Sequence, residues 1–432
     1  MPQHPAERQT EPSSALATPG FATLWSGQAL SQLGWQFTGL AVPVIAVNLL
    51  DATDSQMGYL NASSTIAFLA IGLLAGGLVD RWHKRRVMVA ADLVRAAVVA
   101  AVPALFWLGS PELWHLYIVA GILGLASVFF DVAYQSYVPV LLPSSAIGDA
   151  NGKLEATAQV ARLAGPGLAG LLLRVVSAPM LLVVNSFGFL ASAGFLATIR
   201  ESERPAPRAD RDPLLTEIAD GIHFVWREPL LQRIVAVTAL SNLGSTVVFT
   251  LEPLLVLRLL DVSPWWYGMI SSLGAIGGVG GSLLATRAGA RFGEGPALVA
   301  AAALSGISAM LLPLAAVMPS ATVIPLLVAA SMCMAAGVIV YNVIQVTARQ
   351  RLCPPALLGR MNASIRFVVW GVMPLAALLA GWLGSALGTV SGMWVGAAVM
   401  AAGALPLALS PFARMRHLPT SPRGGVVGPD DT

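Results

Sequence analysis

Charge is scarce in this sequence. Only 11% of its 432 residues are Asp, Glu, Lys or Arg, where a soluble chain carries about a quarter. With 56% hydrophobic residues and a mean hydropathy of +0.74, a soluble domain is excluded and a polytopic membrane protein is the class that remains. Cysteine is nearly absent too. Cys333 in an apolar run and Cys353 in a polar connection offer neither a disulfide framework nor a metal set, and both read as packing residues. Of the five histidines, His83, His115 and His223 lie near the ends of apolar runs. A phosphate-cradling loop, a metal cluster and a nucleophile–base constellation are all missing, so neither an enzyme nor a bound cofactor or metal is expected. The net charge of +3 is too small for a nucleic-acid partner. The first twenty residues are polar and rich in Pro and Ser, without a basic segment leading into a short apolar core, so no cleaved signal peptide is expected.

What the sequence has in abundance is long apolar runs. Twelve stretches of bilayer-spanning length occupy about 23–50, 57–79, 87–108, 113–138, 155–176, 179–199, 231–257, 265–286, 296–317, 322–347, 363–386 and 389–411. Each is too long and too uniformly apolar for a barrel strand, so the expected fold is all-α with twelve transmembrane helices. Alternate connections, such as Asp51–Gln56, Gly109–Leu113 and Asp261–Pro264, carry no Lys or Arg. Of the 25 Lys and Arg, only Arg174 and Arg258 fall near that face. Bases mark the cytoplasmic side, which places both termini inside a plasma (inner) membrane. Trp107, Trp114, Trp265, Trp266, Trp382 and Trp394 gather near the opposite ends as an interfacial belt.

One connection is long, about 200–233. It divides the chain into a tail (1–20), a first six-helix bundle (21–199), a linker (200–230), a second bundle (231–412) and a tail (413–432). Leu214, Ile218, Ile222 and Val225 recur at helical spacing in the linker, so this segment is expected to lie along the inner interface. The halves repeat. An ungapped offset of 211 residues (354 − 143) pairs Pro143 with Pro354, Asn151 with Asn362, Asp131 with Asn342, Glu155 with Arg366 and Gly170 with Gly381, as expected of a transporter built from repeated halves.

The connection between the second and third runs reads Gly76-Gly77-Leu78-Val79-Asp80-Arg81-Trp82-His83-Lys84-Arg85-Arg86. A glycine four residues before Asp80-Arg81, followed by the bases Lys84 and Arg85, resembles the signature of major facilitator superfamily transporters. Gly165-Pro166-Gly167, with Gly170 following, resembles the antiporter motif of drug exporters. Phe130-Asp131 through Tyr134-Gln135 and Tyr137 to Pro139, and Gly221, Phe224, Trp226, Pro229 and Leu230, resemble the exporter branch that includes macrolide and enterobactin exporters. The resemblance implies two pseudo-symmetric six-helix bundles working by alternating access. It also implies that Asp80, Asp131 and Arg366 meet across the halves to latch the cytoplasmic side.

Polar and charged residues inside spans are costly and therefore functional candidates. Gln28, Gln32 and Gln36 form a stripe on the first span, and Glu155, Gln159 and Arg162 share a face of the fifth. The stripe reads either as cavity lining or as helix–helix hydrogen bonding. Arg162 is expected to face a central cavity or pair with an acid. Asn242 and Glu252 lie in the seventh span and Asn342 in the tenth. Glu252 is either a proton-coupling acid or a snorkelling carboxylate paired with Arg258. The resemblance implies export of a lipophilic drug-like or siderophore-like small molecule. Without an ATP site, the proton gradient is the expected energy source, and a proton-coupled antiporter working as a monomer in the lipid bilayer is expected. A proton-linked importer of a small metabolite, or a non-transporting receptor or scaffold on the same fold, are the alternatives.

Overall fold

The computed structural model describes residues 14–79, 81–200, 222–354 and 357–419. Twelve long helices account for nearly all of them: α1 (Pro19–Val44), α2 (Asp54–Val79), α3 (Lys84–Trp107), α4 (Leu113–Leu141), α5 (Ser144–Leu172), α6 (Ala178–Thr198), α7 (Pro229–Pro253), α8 (Pro264–Phe292), α9 (Glu294–Leu314), α10 (Ser320–Leu352), α11 (Leu358–Leu387) and α12 (Thr389–Ala402). Ten of the helical segments are long and apolar enough to cross a membrane on their own, and α2 and α5 occupy the two remaining places. Helix ends follow local chemistry. Pro229 and Pro264 sit in the first turns of α7 and α8, where a missing N–H costs nothing. Gly293 and Gly388, at φ of 95° and 89°, terminate α8 and α11 in a conformation that disfavours any side chain. The last span, Thr389–Ala408, is interrupted: α12 stops at Ala402, and the helical turn Leu405–Ala408 continues it. Pro406 in that turn has no N–H with which to continue the ladder.

Packing repeats between the halves. In the first, α1 packs on α5 and α6, α3 on α4 and α6, and α2 on α4. In the second, α7 packs on α11 and α12, α9 on α10 and α12, and α8 on α10. The halves join through α2 against α11 and α5 against α8. Both joints are glycine crossings. An added Cβ on Gly58 would meet the backbone of Ala377 and Gly381, and one on Gly268 would meet the carbonyl of Pro166 and the backbone of Gly170. Small residues let backbones approach where the membrane supplies no hydrophobic drive between helices. Gly170 and Gly381, paired by the sequence offset, thus hold equivalent places in the two joints.

The bundle has a basic end, where α2 meets α3, and a base-poor end, where α1 meets α2 and α7 meets α8. Several connections are pinned at the basic end. Asp149 on α5 accepts hydrogen bonds from Lys153 and from the Ala15 backbone N–H, which hold its carboxyl below the usual carboxylate range, Lys153 first. At the start of α9, Glu294 takes Arg351 at 2.7 Å and the Leu418 N–H at 2.9 Å, so the beginning of the C-terminal tail is docked. Of the linker, the structure describes residues 200 and 222–230, with 222–227 helical and Phe224 and Val225 buried; Leu214 and Ile218 lie outside the described residues.

Candidate functional site

The ends of α1 and α7 are built alike. Pro43 and Pro253 remove a donor from each helix near its end, and both helices then widen to i−5 bonding, Leu50 N–H to the Ile45 carbonyl and Leu260 N–H to the Leu255 carbonyl. Such wide turns are uncommon and often sit at functional places. Asp51 and Asp261 follow at φ of 49° and 48°, a region that Asp tolerates better than most residues. The wide turns touch each other across the halves. Arg258 in the second donates to the carbonyls of Ala52 at 2.7 Å and Val47 at 3.1 Å in the first, with Asp51 at 3.8 Å. This corrects one of the two expectations for Glu252: the partner of Arg258 is the opposite half, not Glu252. Six residues apart, Glu252 and Arg258 leave the helix on different faces, and the guanidinium reaches the carbonyls of the other half instead. Thr389 to Asp54 at 2.7 Å and Ser55 with Ser385 at 2.5 Å add to the same closure.

Beneath it lies a cavity of about 400 Å³. Its wall is mostly apolar, with Trp35 and Val42 from α1, Met57 and Leu60 from α2, Leu116 and Leu123 from α4, and Phe249 from α7. The polar groups are Thr38, Asn61, Ser64, Thr65, Thr250, Tyr267 and Glu252, which supplies the one carboxylate of the lining. Asn61 on α2 donates to Thr250 on α7 at 2.7 Å, a hydrogen bond that ties the halves across the cavity. The glutamine stripe lies elsewhere. Gln28 is buried with its Oε1 unpaired, Gln32 is half-buried, and Gln36 packs against the place where Gly165 has no side chain.

The Gly-Pro-Gly run forms a seam. Gly165 accommodates Gln36 of α1, while Gly167 N–H donates to Ser272 Oγ of α8 at 2.7 Å. Pro166 and Gly170 meet Gly268, so the run makes the tight contact with the eighth helix that its glycines imply.

The charged candidates near the basic end stay apart. Asp80 lies outside the described residues. Asp131 and Arg366 are both exposed and form no ion pair with each other; Arg366 lies over the Trp370 ring at 5.5 Å. Asp131 and Arg366 are therefore not paired in this structure, and the part that Asp80 would play lies outside the described residues. Glu155 accepts from Gln159 at 2.7 Å, and Arg162 is exposed with no ion pair to any of the described residues. Asn242 donates to the Val369 carbonyl at 3.0 Å, which makes it a brace between α7 and α11, and Asn342 faces Gln345 at 3.4 Å. In the loop motif, Arg85 caps the end of α6 through the Ile199 and Ala197 carbonyls, Lys84 is buried, and Gly76 lies in the last turn of α2.

One pair escaped the sequence reading. Asp92 and Arg95 on α3 are buried and 3.1 Å apart, with the guanidinium 4.3 Å from the Phe130 ring and 5.5 Å from that of Phe189. The signal was present as opposite charges at i, i+3 inside an apolar run.

Comparison with known proteins agrees with this architecture. The pattern of the Major Facilitator Superfamily matches residues 24–375. The chain belongs to the major facilitator superfamily. Among its superfamily relatives, it is 30% identical over 190 residues to the multidrug efflux pump Tap of Mycolicibacterium fortuitum, a match covering 42% of this chain and 46% of that protein. It is 27% identical over 353 residues to Tap of Mycobacterium tuberculosis, covering 78% and 81%. The first match thus spans about half the relative's length and the second most of it. The crystal structure of the POT family transporter PepTSo superposes with a TM-score of 0.70 at 13% identity, covering 93% of this chain and 99% of that one; at that identity the likeness speaks for the fold alone.

Proposed function

We propose that this superfamily member is a secondary active exporter of lipophilic small molecules, resident in the inner membrane with its basic end in the cytoplasm. The observation that carries the reading is the apolar cavity with Glu252 in its wall, closed at the base-poor end by bonds between the halves. A wall of Trp35, Phe249 and Tyr267 suits a lipophilic, drug-like solute, and a lone carboxylate suits one that is neutral or singly cationic. The likeness to the Tap pumps supports export as the direction. The arrangement corresponds to the inward-open member of an alternating-access pair. In the other member the base-poor closure opens and Asp131 and Arg366 approach, with Asp80 completing the latch.

Glu252 serves in this reading as the proton-coupling acid. A carboxylate facing an apolar cavity is expensive to keep charged, so proton and cationic solute compete for one site. Inside-out vesicles loaded with protein test the whole reading. Energised uptake of the fluorescent lipophilic cation ethidium, abolished by a protonophore, is the expected result; uptake that ignores the protonophore would remove proton coupling, and none at all across a panel of lipophilic solutes would remove export.

A further inference from the structure

The bases of the α2–α3 loop are not equivalent. Arg85 is turned inward to cap α6, and Lys84 is buried at the start of α3. Arg81, His83 and Arg86 are exposed. These three form the rim of a separate groove of about 570 Å³, larger than the solute cavity and distinct from it. Below the rim its floor is wholly apolar, Ala90 and Val94 from α3 with Ile122, Leu125 and Phe129 from α4. Val94 and Ile122 are 42% and 38% exposed, so the floor opens outward from the bundle rather than toward the solute path. Trp82 stacks on Phe129 with ring centroids 6.2 Å apart, at the junction of rim and floor, where an amphipathic indole is at home between headgroup and acyl chain.

We propose that this groove is a binding site for an anionic glycerophospholipid of the leaflet that faces the basic end. Arg81, His83 and Arg86 hold its phosphate, and one acyl chain lies along Val94, Ile122 and Leu125. Charge and shape together select the occupant. A zwitterionic lipid offers the same phosphate but brings its own ammonium up against the two guanidiniums, and a water-soluble phosphate leaves the apolar floor uncovered. Basic pockets beside membrane helices recognise anionic headgroups by charge, and guanidinium groups do so bidentately. The leaflet assignment rests on the topology proposed above, whereas binding itself depends on neither orientation nor transport.

Native mass spectrometry on the full-length protein, exchanged between phosphatidylglycerol and phosphatidylcholine micelles, provides the test. The wild type should retain one phosphatidylglycerol in preference to phosphatidylcholine. Arg81→Gln with Arg86→Gln should weaken that retention roughly 30-fold, from two bases lost near an anionic headgroup. Val94→Trp, which fills the floor and leaves the charges in place, should also lose the bound lipid, and Ile122→Trp serves if the first does not elute as a monodisperse protein. Arg287→Gln with Arg291→Gln, two exposed bases at the end of α8, should change nothing. Equal retention of the two lipids, an equal loss in the α8 control, or full retention in the floor variants would each overturn the proposal.

Discussion

At the base-poor end the halves are clasped by short-range contacts. Arg258 holds the Val47 and Ala52 carbonyls, Thr389 holds Asp54, and glycine backbones meet at Gly58 with Gly381 and at Gly170 with Gly268. At the basic end the opposing walls carry free-standing charge. Asp131 and Glu155 on the first half and Arg366 on the second are exposed, and Asp131 and Arg366 are unpaired with each other. The clasp is short-range and geometric, while the basic end is long-range and electrostatic. A transporter needs each closure to be comparable in free energy, because a closure that is much stronger than its counterpart traps one state. The structure shows the base-poor closure made; the other would be supplied by the latch proposed above.

The largest effect expected concerns which end carries the proton. Glu252→Gln should abolish proton-driven efflux while leaving solute binding largely intact, read by vesicle transport alongside dye binding. Proton-driven efflux retained in Glu252→Gln and lost in Glu155→Gln would move coupling to the basic end and break the comparison as drawn.

Next comes the clasp itself. Charge-assisted hydrogen bonds contribute about 1.5–3 kcal/mol each, less when solvent reaches them, and the Arg258 side chain is 37% exposed. Arg258→Met should shift the conformational equilibrium toward opening of the base-poor end about 30-fold, from about 2 kcal/mol lost. A cysteine at Gly39, in the cavity wall, should then label faster with an impermeant reagent added from that side. Arg258→Lys should fall between, since an ammonium reproduces the charge and not the fork. Unchanged labelling in Arg258→Met would reduce the clasp to its glycine crossings. Gly268→Ala tests those: its Cβ meets the Pro166 carbonyl, and overpacking of about 1–3 kcal/mol should lower the melting temperature and slow transport.

A smaller effect is expected at the basic end, where the proposed latch would pair charges in the other state. Asp131→Asn and Arg366→Gln should each reduce transport about tenfold or less, consistent with a partly solvated pair, and the swap Asp131→Arg with Arg366→Asp should recover part of it. Failure of the swap to recover anything, with both singles impaired, would show that the two residues act apart.

The smallest effect sits on the rim. Asp149 has its carboxyl held below the usual range, so the docking of the Ala15–Ala17 turn is complete above about pH 4, the ordinary Asp value, and is lost as pH falls through the lower folded-state value. Asp149→Asn should speed exchange of the Ala15 amide at neutral pH without altering transport.

How much of this was legible depends on range. Each apolar run had only to satisfy its own backbone inside a bilayer, a local requirement that hydropathy and length express directly. The twelve spans and the repeat pairing Gly170 with Gly381 were therefore readable. So was the glycine seam of α5 against α8, because close packing needs glycine and little else does. The partners of side chains were not readable. Arg258 and Glu252 share a span, and proximity in sequence invited a pairing that the folded chain rejects in favour of carbonyls from α1. Asp92 and Arg95 were visible as charges, yet only the convergence of Phe130 and Phe189 around them shows a buried site. The four bases of the α2–α3 loop looked alike until α6 took one of them and α3 buried another. The sequence by itself determined which segments cross the membrane and that they come in two repeated sets, since that is set by the solvent each residue must face. Which end is closed, which carboxylate lines the cavity and which arginines remain available to a ligand were decided by tertiary structure, because they depend on residues hundreds of positions apart arriving within a few ångströms.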